Sequence, residues 1–118
     1  MTVLSQNTGF FRDSLAPGKG RIYVYRVAKF GLANQPEILF NGRSIGKAVP
    51  EGFLYIDAVP GSHTISATTE IRVDIAQGQV AYVRLNARLG VIGNRIEPEL
   101  VHERTGREQI RDTKYIGE

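Results

Sequence analysis

The sequence predicts an all-β fold, an antiparallel β-sandwich of about seven strands with a short C-terminal helix. Three observations carry this. From residue 20 onward apolar and polar residues alternate with a period of two, the mark of strands packed on one face and wet on the other. Turn residues (Gly, Pro, Asn) punctuate the chain at short intervals. Hydrophobic residues make up 42% of the 118, enough for one core and too many for a disordered chain. A small closed barrel is the second choice of architecture.

Residues 1–19 read as a flexible tail, closed by the turn-rich run Ala16-Pro17-Gly18-Lys19-Gly20. The remainder, 20–118, forms the sandwich domain. Gly20–Arg26 is rich in β-branched and aromatic residues, with Ile22 and Val24 sharing a face. Glu37–Phe40 is a second strand, followed at once by Asn41-Gly42 and then Arg43-Ser44-Ile45. Asn-Gly between strands predicts a two-residue hairpin, because a type I′ turn needs positive φ at both central positions. Gly52–Asp57 places Phe53 and Tyr55 on one face and Leu54 and Ile56 on the other. It stops at Val59-Pro60-Gly61.

Ser62–Thr69 turns His63, Ile65 and Ala67 one way; Ile71, Val73 and Ile75 alternate in the next strand. Ala81, Val83, Leu85, Ala87 and Leu89 then form an unbroken apolar face opposite Arg84, Asn86 and Arg88. Ile96–Glu103 is a weaker strand: Pro98 cannot donate to a ladder and belongs at an edge or bulge. Thr105-Gly106-Arg107-Glu108 fits a capping box, which predicts a helix over 107–112, with a hairpin strand as the rival.

Four segments together resemble a known family. They are Gly20-Arg21-Ile22-Tyr23-Val24-Tyr25-Arg26, Asn41-Gly42-Arg43-Ser44-Ile45-Gly46, Tyr55 through Ala67 with its Pro-Gly-Ser-His-Thr-Ile block, and Gly78 with Ala81-Tyr82-Val83-Arg84. In this order and spacing they resemble the bacterial domain-of-unknown-function family DUF 2846, over roughly residues 19–112. The resemblance implies a β-sandwich and a small envelope domain, in the periplasm or at the outer membrane. Such domains commonly carry a signal peptide and often a lipid anchor in the native precursor. It implies no established activity. The first residues here hold neither a leader nor a lipidated Cys. A cytoplasmic location is the alternative.

Composition narrows the chemistry. With Cys 0 there is no disulfide, no thiol nucleophile and no Cys-based zinc site, and with His 2 a metal site would lean on carboxylates. The expectation is a non-enzymatic module without cofactor or metal. His63 on an apolar face is expected to bond a nearby turn carbonyl rather than to act as a base. Glu97, Glu99 and Glu103 are expected to form a solvated face, and Tyr23, Tyr25, Tyr55 and Tyr82 to be half-buried strand residues. No run of apolar residues is long enough for a helical membrane span.

Charge is uneven. Residues 1–59 hold seven cations against four acids, whereas 60–118 hold eight of each. The cations are single and spaced, so no nucleic-acid partner is expected. Phe10 and Phe11 beside Arg12, with Arg26 and Lys29, are the candidate partner-binding residues, because aromatics and arginine suit interface cores. The partner would be an envelope protein or another copy of the chain. The alternatives are a β-domain that binds a small molecule, glycan or nucleic acid, the last through Arg21, Arg26, Lys29, Arg43 and Lys47. A hydrolase using His63, Tyr55 and Asp57 comes behind these.

Overall fold

A computed structural model describes residues 15–28, 33–89 and 94–117. Among these residues the chain forms nine strands and one helix. In order they are β1 (Gly20–Tyr25), β2 (Glu37–Phe40), β3 (Arg43–Lys47), β4 (Gly52–Ala58), β5 (Gly61–Ser66), β6 (Glu70–Ile75), β7 (Val80–Leu89), β8 (Asn94–Val101), α1 (Glu103–Ile110) and β9 (Lys114–Tyr115). The large sheet runs β8-β7-β1-β4-β9 and the small sheet β3-β2-β5-β6. The sandwich expectation holds, with two refinements. There are nine strands rather than about seven. Two pairings are parallel, β1 with β7 and β4 with β9.

Alternation decides which side chains enter the core. Ile22 and Val24 of β1, Leu54 of β4, Val83 and Leu85 of β7 and Ile96 of β8 face Ile38, Ile65, Val73 and Ile75 of the small sheet, all buried. The Asn41-Gly42 hairpin forms as expected. Phe40 pairs with Arg43, and φ is +50° at Asn41 and +83° at Gly42. Strand β8 is an edge, which accommodates Pro98 opposite Leu85. The neighbouring position on that edge is capped: the Ile96 amide donates to Thr68 Oγ1 at 2.9 Å, and the Thr68 amide donates to the Ile96 carbonyl at 3.0 Å. Proline and a side-chain cap together blunt an edge that would otherwise template another strand.

The helix begins earlier than its sequence suggested. It spans 103–110, not 107–112, and His102 is the N-cap, its Nδ1 accepting from the Arg104 amide at 3.0 Å. Thr105 lies inside the helix. One side of α1 then rests on β7, where Gly106 meets the Tyr82 ring. A Cβ built on Gly106 would stand 2.3 Å from Tyr82 Cγ, so only glycine allows the helix this close.

Candidate functional site

The outer face of the large sheet is more than a wet surface. Tyr23, Tyr25, Phe53 and Tyr82 are buried there with Ile110 of α1 as a second apolar cluster. The parallel register of β1 and β7 puts Tyr23 beside Tyr82, and their rings stack at 5.2 Å. Tyr55 lies 5.7 Å from Tyr23, and Tyr115 lies 5.4 Å from Phe53 and 5.9 Å from Tyr55. Tyr115 is 47% exposed and finishes the layer at the β4/β9 side.

Arg21 is buried at the start of this layer. Its Nε and Nη2 donate to the two oxygens of Asp57, at 2.7 and 3.0 Å, and its guanidinium lies 4.1 Å from the Tyr55 ring centre. The antiparallel register of β1 and β4 sets the pair directly opposite. Burial alone would lower the Arg21 pKa, but the bond to Asp57 raises it overall. Burial would raise the Asp57 pKa; the Arg21 hydrogen bonds and charge outweigh it and hold the carboxyl below its usual value. The Ala16 amide adds a bond to Asp57 at 3.3 Å.

Across the sheet, β7, β8, α1 and residues 27–28 line an open groove of about 380 Å³. Arg84 is its centre. Nε donates to Asn86 Oδ1 at 2.9 Å, Nη1 to Gln109 Oε1 at 3.1 Å and Nη2 to Glu99 Oε1 at 3.1 Å. Asn86 Nδ2 donates to the same Glu99 oxygen at 2.8 Å, and the Tyr25 hydroxyl donates to Gln109 Oε1 at 2.6 Å. The bonds from Asn86 and Arg84 lower the Glu99 pKa. Burial pushes Tyr25 up to about 12, so the phenol stays a donor at neutral pH. Arg88 pairs with Glu97 at 3.1 Å further along the same face.

The residues singled out from sequence fall in different places. Phe10, Phe11, Arg12 and Lys29 lie outside the described residues. Arg26 does not present a partner surface: it is fully buried, and its Nη1 donates to the carbonyls of Asn34 and Ala48. Burial lowers its pKa. Arg21 is also inside, while Arg43 and Lys47 are exposed on β3 of the other sheet, so these cations do not converge on one surface.

His63 is a structural residue. Asn41 Oδ1 accepts from the Thr64 amide at 2.9 Å, which turns Asn41 Nδ2 toward His63 Nδ1 at 3.0 Å. The ring must therefore accept at Nδ1 and donate from Nε2 to the Val59 carbonyl, 2.7 Å away. It stacks on Phe40 toward the core, apart from Tyr55 and Asp57 on the outer face of the other sheet. Among the described residues no three His, Asp or Glu side chains gather as metal ligands. None of the described helices is long and apolar enough to cross a membrane.

Sequence reasoning missed Gln109. It lies in the amphipathic helix just past the expected start, and nothing local marks it as the acceptor for two donors from other elements. Arg84 and Asn86 were legible only as the polar side of an alternating strand.

Comparison with known proteins adds a family. A relative from Haemophilus influenzae, described as an uncharacterized protein, is 25% identical over 114 residues, 92% of this chain and 68% of its own. No solved structure matches. The family described as protein of unknown function, DUF2846, matches over residues 16–95, more than half of the sequence, and the chain belongs to it.

Proposed function

We propose that the chain is a non-enzymatic binding or assembly module of the bacterial envelope, engaging a protein partner or a further copy of itself through the outer face of the large sheet. One observation carries this: the aromatic layer ends in Tyr115, half exposed beside buried Phe53 and half-buried Tyr55. An exposed aromatic ring over a desolvated aromatic floor is the kind of anchor that interface hot spots use. The envelope location and a lipid-anchored precursor are what the resemblance of the sequence segments implies, and they form part of this proposal.

Two measurements test the reading. The native gene product, tagged at its C-terminus, is expected in the envelope fraction, and recovery in the cytosol overturns the location. A photo-crosslinking amino acid at position 115 is expected to trap a discrete adduct in cells, whereas one at Arg72, exposed on the small sheet, is not. Absence of an adduct at 115, or equal yields at both positions, overturns the interface.

A further inference from the structure

We propose that the groove around Arg84 binds a neutral, hydroxyl-rich ligand of the saccharide class. The site is independent of the Tyr115 surface and goes beyond the partner-binding reading. The first argument is what the hydrogen-bond lattice leaves over. Gln109 Oε1 already accepts from Tyr25 and from Arg84. That fixes the amide orientation and leaves the two N–H groups of Nε2 unspent on a residue that lines the groove. Asn86 Oδ1 and one of its N–H groups are spent on Arg84 and Glu99, which leaves a second N–H. Glu99 Oε1 takes two bonds, which leaves Oε2 as an acceptor. Arg84 keeps one N–H on each terminal nitrogen. The groove thus offers several donors and one strong acceptor, held in place by bonds to one another rather than by the ligand.

Charge then decides the class. Arg84 faces Glu99 and Arg88 faces Glu97 across the β7/β8 pair. An anion approaching Arg84 meets the Glu99 carboxylate, and a cation approaching Glu99 meets Arg84. A neutral molecule avoids both penalties. Hydroxyl groups, which donate and accept at one oxygen, match a mixed array better than groups that only accept. Val27, Ala28 and Ala87 supply an aliphatic wall along the same groove, suited to the C–H face of a sugar ring. The volume of about 380 Å³ is at the small end for ligand pockets and suits one or two rings.

The test is NMR titration of the full ¹⁵N-labelled chain with maltose, with N,N′-diacetylchitobiose and, as an anionic control, with succinate. A saturable shift of the Gln109 and Asn86 side-chain amides is expected with at least one disaccharide, at affinities on the order of 1 mM. Succinate is expected to leave them in place. Glu99→Gln keeps an oxygen for Arg84 and Asn86 but replaces the free acceptor by a donor. It should weaken the responding sugar about tenfold while leaving the melting midpoint near that of the parent. Gln109→Leu should abolish the response; its effect on folding is read separately by melting. The proposal fails if neither disaccharide saturates, if succinate binds more tightly than both, or if Glu99→Gln leaves affinity unchanged. In those cases the lattice serves only to fasten α1 to the sheet.

Discussion

Replacing Gly106 with alanine sets two effects of opposite sign against each other. Helix propensity favours the change: alanine is better than glycine in a helix interior by about 1 kcal/mol. Packing opposes it. The new Cβ would lie 2.3, 2.4 and 2.6 Å from Tyr82 Cγ, Cβ and Cδ2, where carbon atoms rest at about 3.5–4.0 Å. Tyr82 cannot swing clear, because its own Cβ is part of the overlap and its ring is held against Tyr23. The helix must lift by about 1 Å or more. That loosens Ile110 in the second cluster and stretches the bonds from Tyr25 and Arg84 to Gln109.

Overpacking of this kind costs about 1–3 kcal/mol. After the propensity gain, a net loss of about 0–2 kcal/mol remains. In a chain of this size that lowers the melting midpoint by up to about 10 °C. Urea unfolding of four proteins resolves the origin: parent, Gly106→Ala, Tyr82→Ala and the double variant. With the ring gone, Gly106→Ala should become neutral or stabilising by up to about 1 kcal/mol. A higher midpoint for Gly106→Ala in the parent background would refute the close approach of α1 to β7.

Val83 is fully buried between the sheets, so Val83→Asp should cost several kcal/mol and lower the midpoint steeply or prevent folding; an unchanged melt would mean the strand's faces are misassigned. Gly42→Val should cost about 1–3 kcal/mol in urea unfolding, and the cause is backbone strain alone, because nothing lies within 4 Å of a Cβ at that position. Asp57→Asn should destabilise at neutral pH by leaving Arg21 buried against a weaker partner, by about 2–4 kcal/mol given the slight exposure of Asp57. The folded Asp57 pKa is depressed, so its contribution is full above the unfolded carboxylate value of about 3.9 and is lost as pH falls through the lower folded value. Unfolding curves measured down the acid range should therefore show the parent and Asp57→Asn converging. A constant gap would count against the pair.

Local pattern carried the strands because each local cue has a local cause. Alternation placed Val83 inward and Arg84 outward, and the positive φ that Asn41-Gly42 needs is met within the turn itself. Pro98 announced an edge because a missing N–H is a property of one residue. What was not legible depends on partners far away in the chain. The parallel pairing of Arg21 with Val80 leaves no trace near either residue. The capping box at Thr105 was a sound local pattern displaced by a competitor: His102 caps first, where the chain leaves β8. The aromatic residues opposite the core read as half-wet, because a tyrosine suits both environments. Only α1 folding back over Tyr82 decides that Tyr25 and Tyr82 are covered. The groove was hidden for the same reason, since it needs Gln109 brought against Tyr25.

The central place of β1 in the large sheet has a kinetic consequence. Its two neighbours are β4 and β7, and the β7 partners lie about sixty residues downstream. Pairing with β4 can form as soon as Ala58 is made, but the other side of β1 stays open until β7 is synthesised. Closing so long a loop costs entropy that only the finished core repays, and such non-local topologies fold slowly. During elongation, then, Ile22 and Val24 belong to a half-built sheet with a hydrophobic strand at its margin. A nascent chain halted before Val80 should be prone to aggregation or bound by chaperones, and release past Leu89 should end that state.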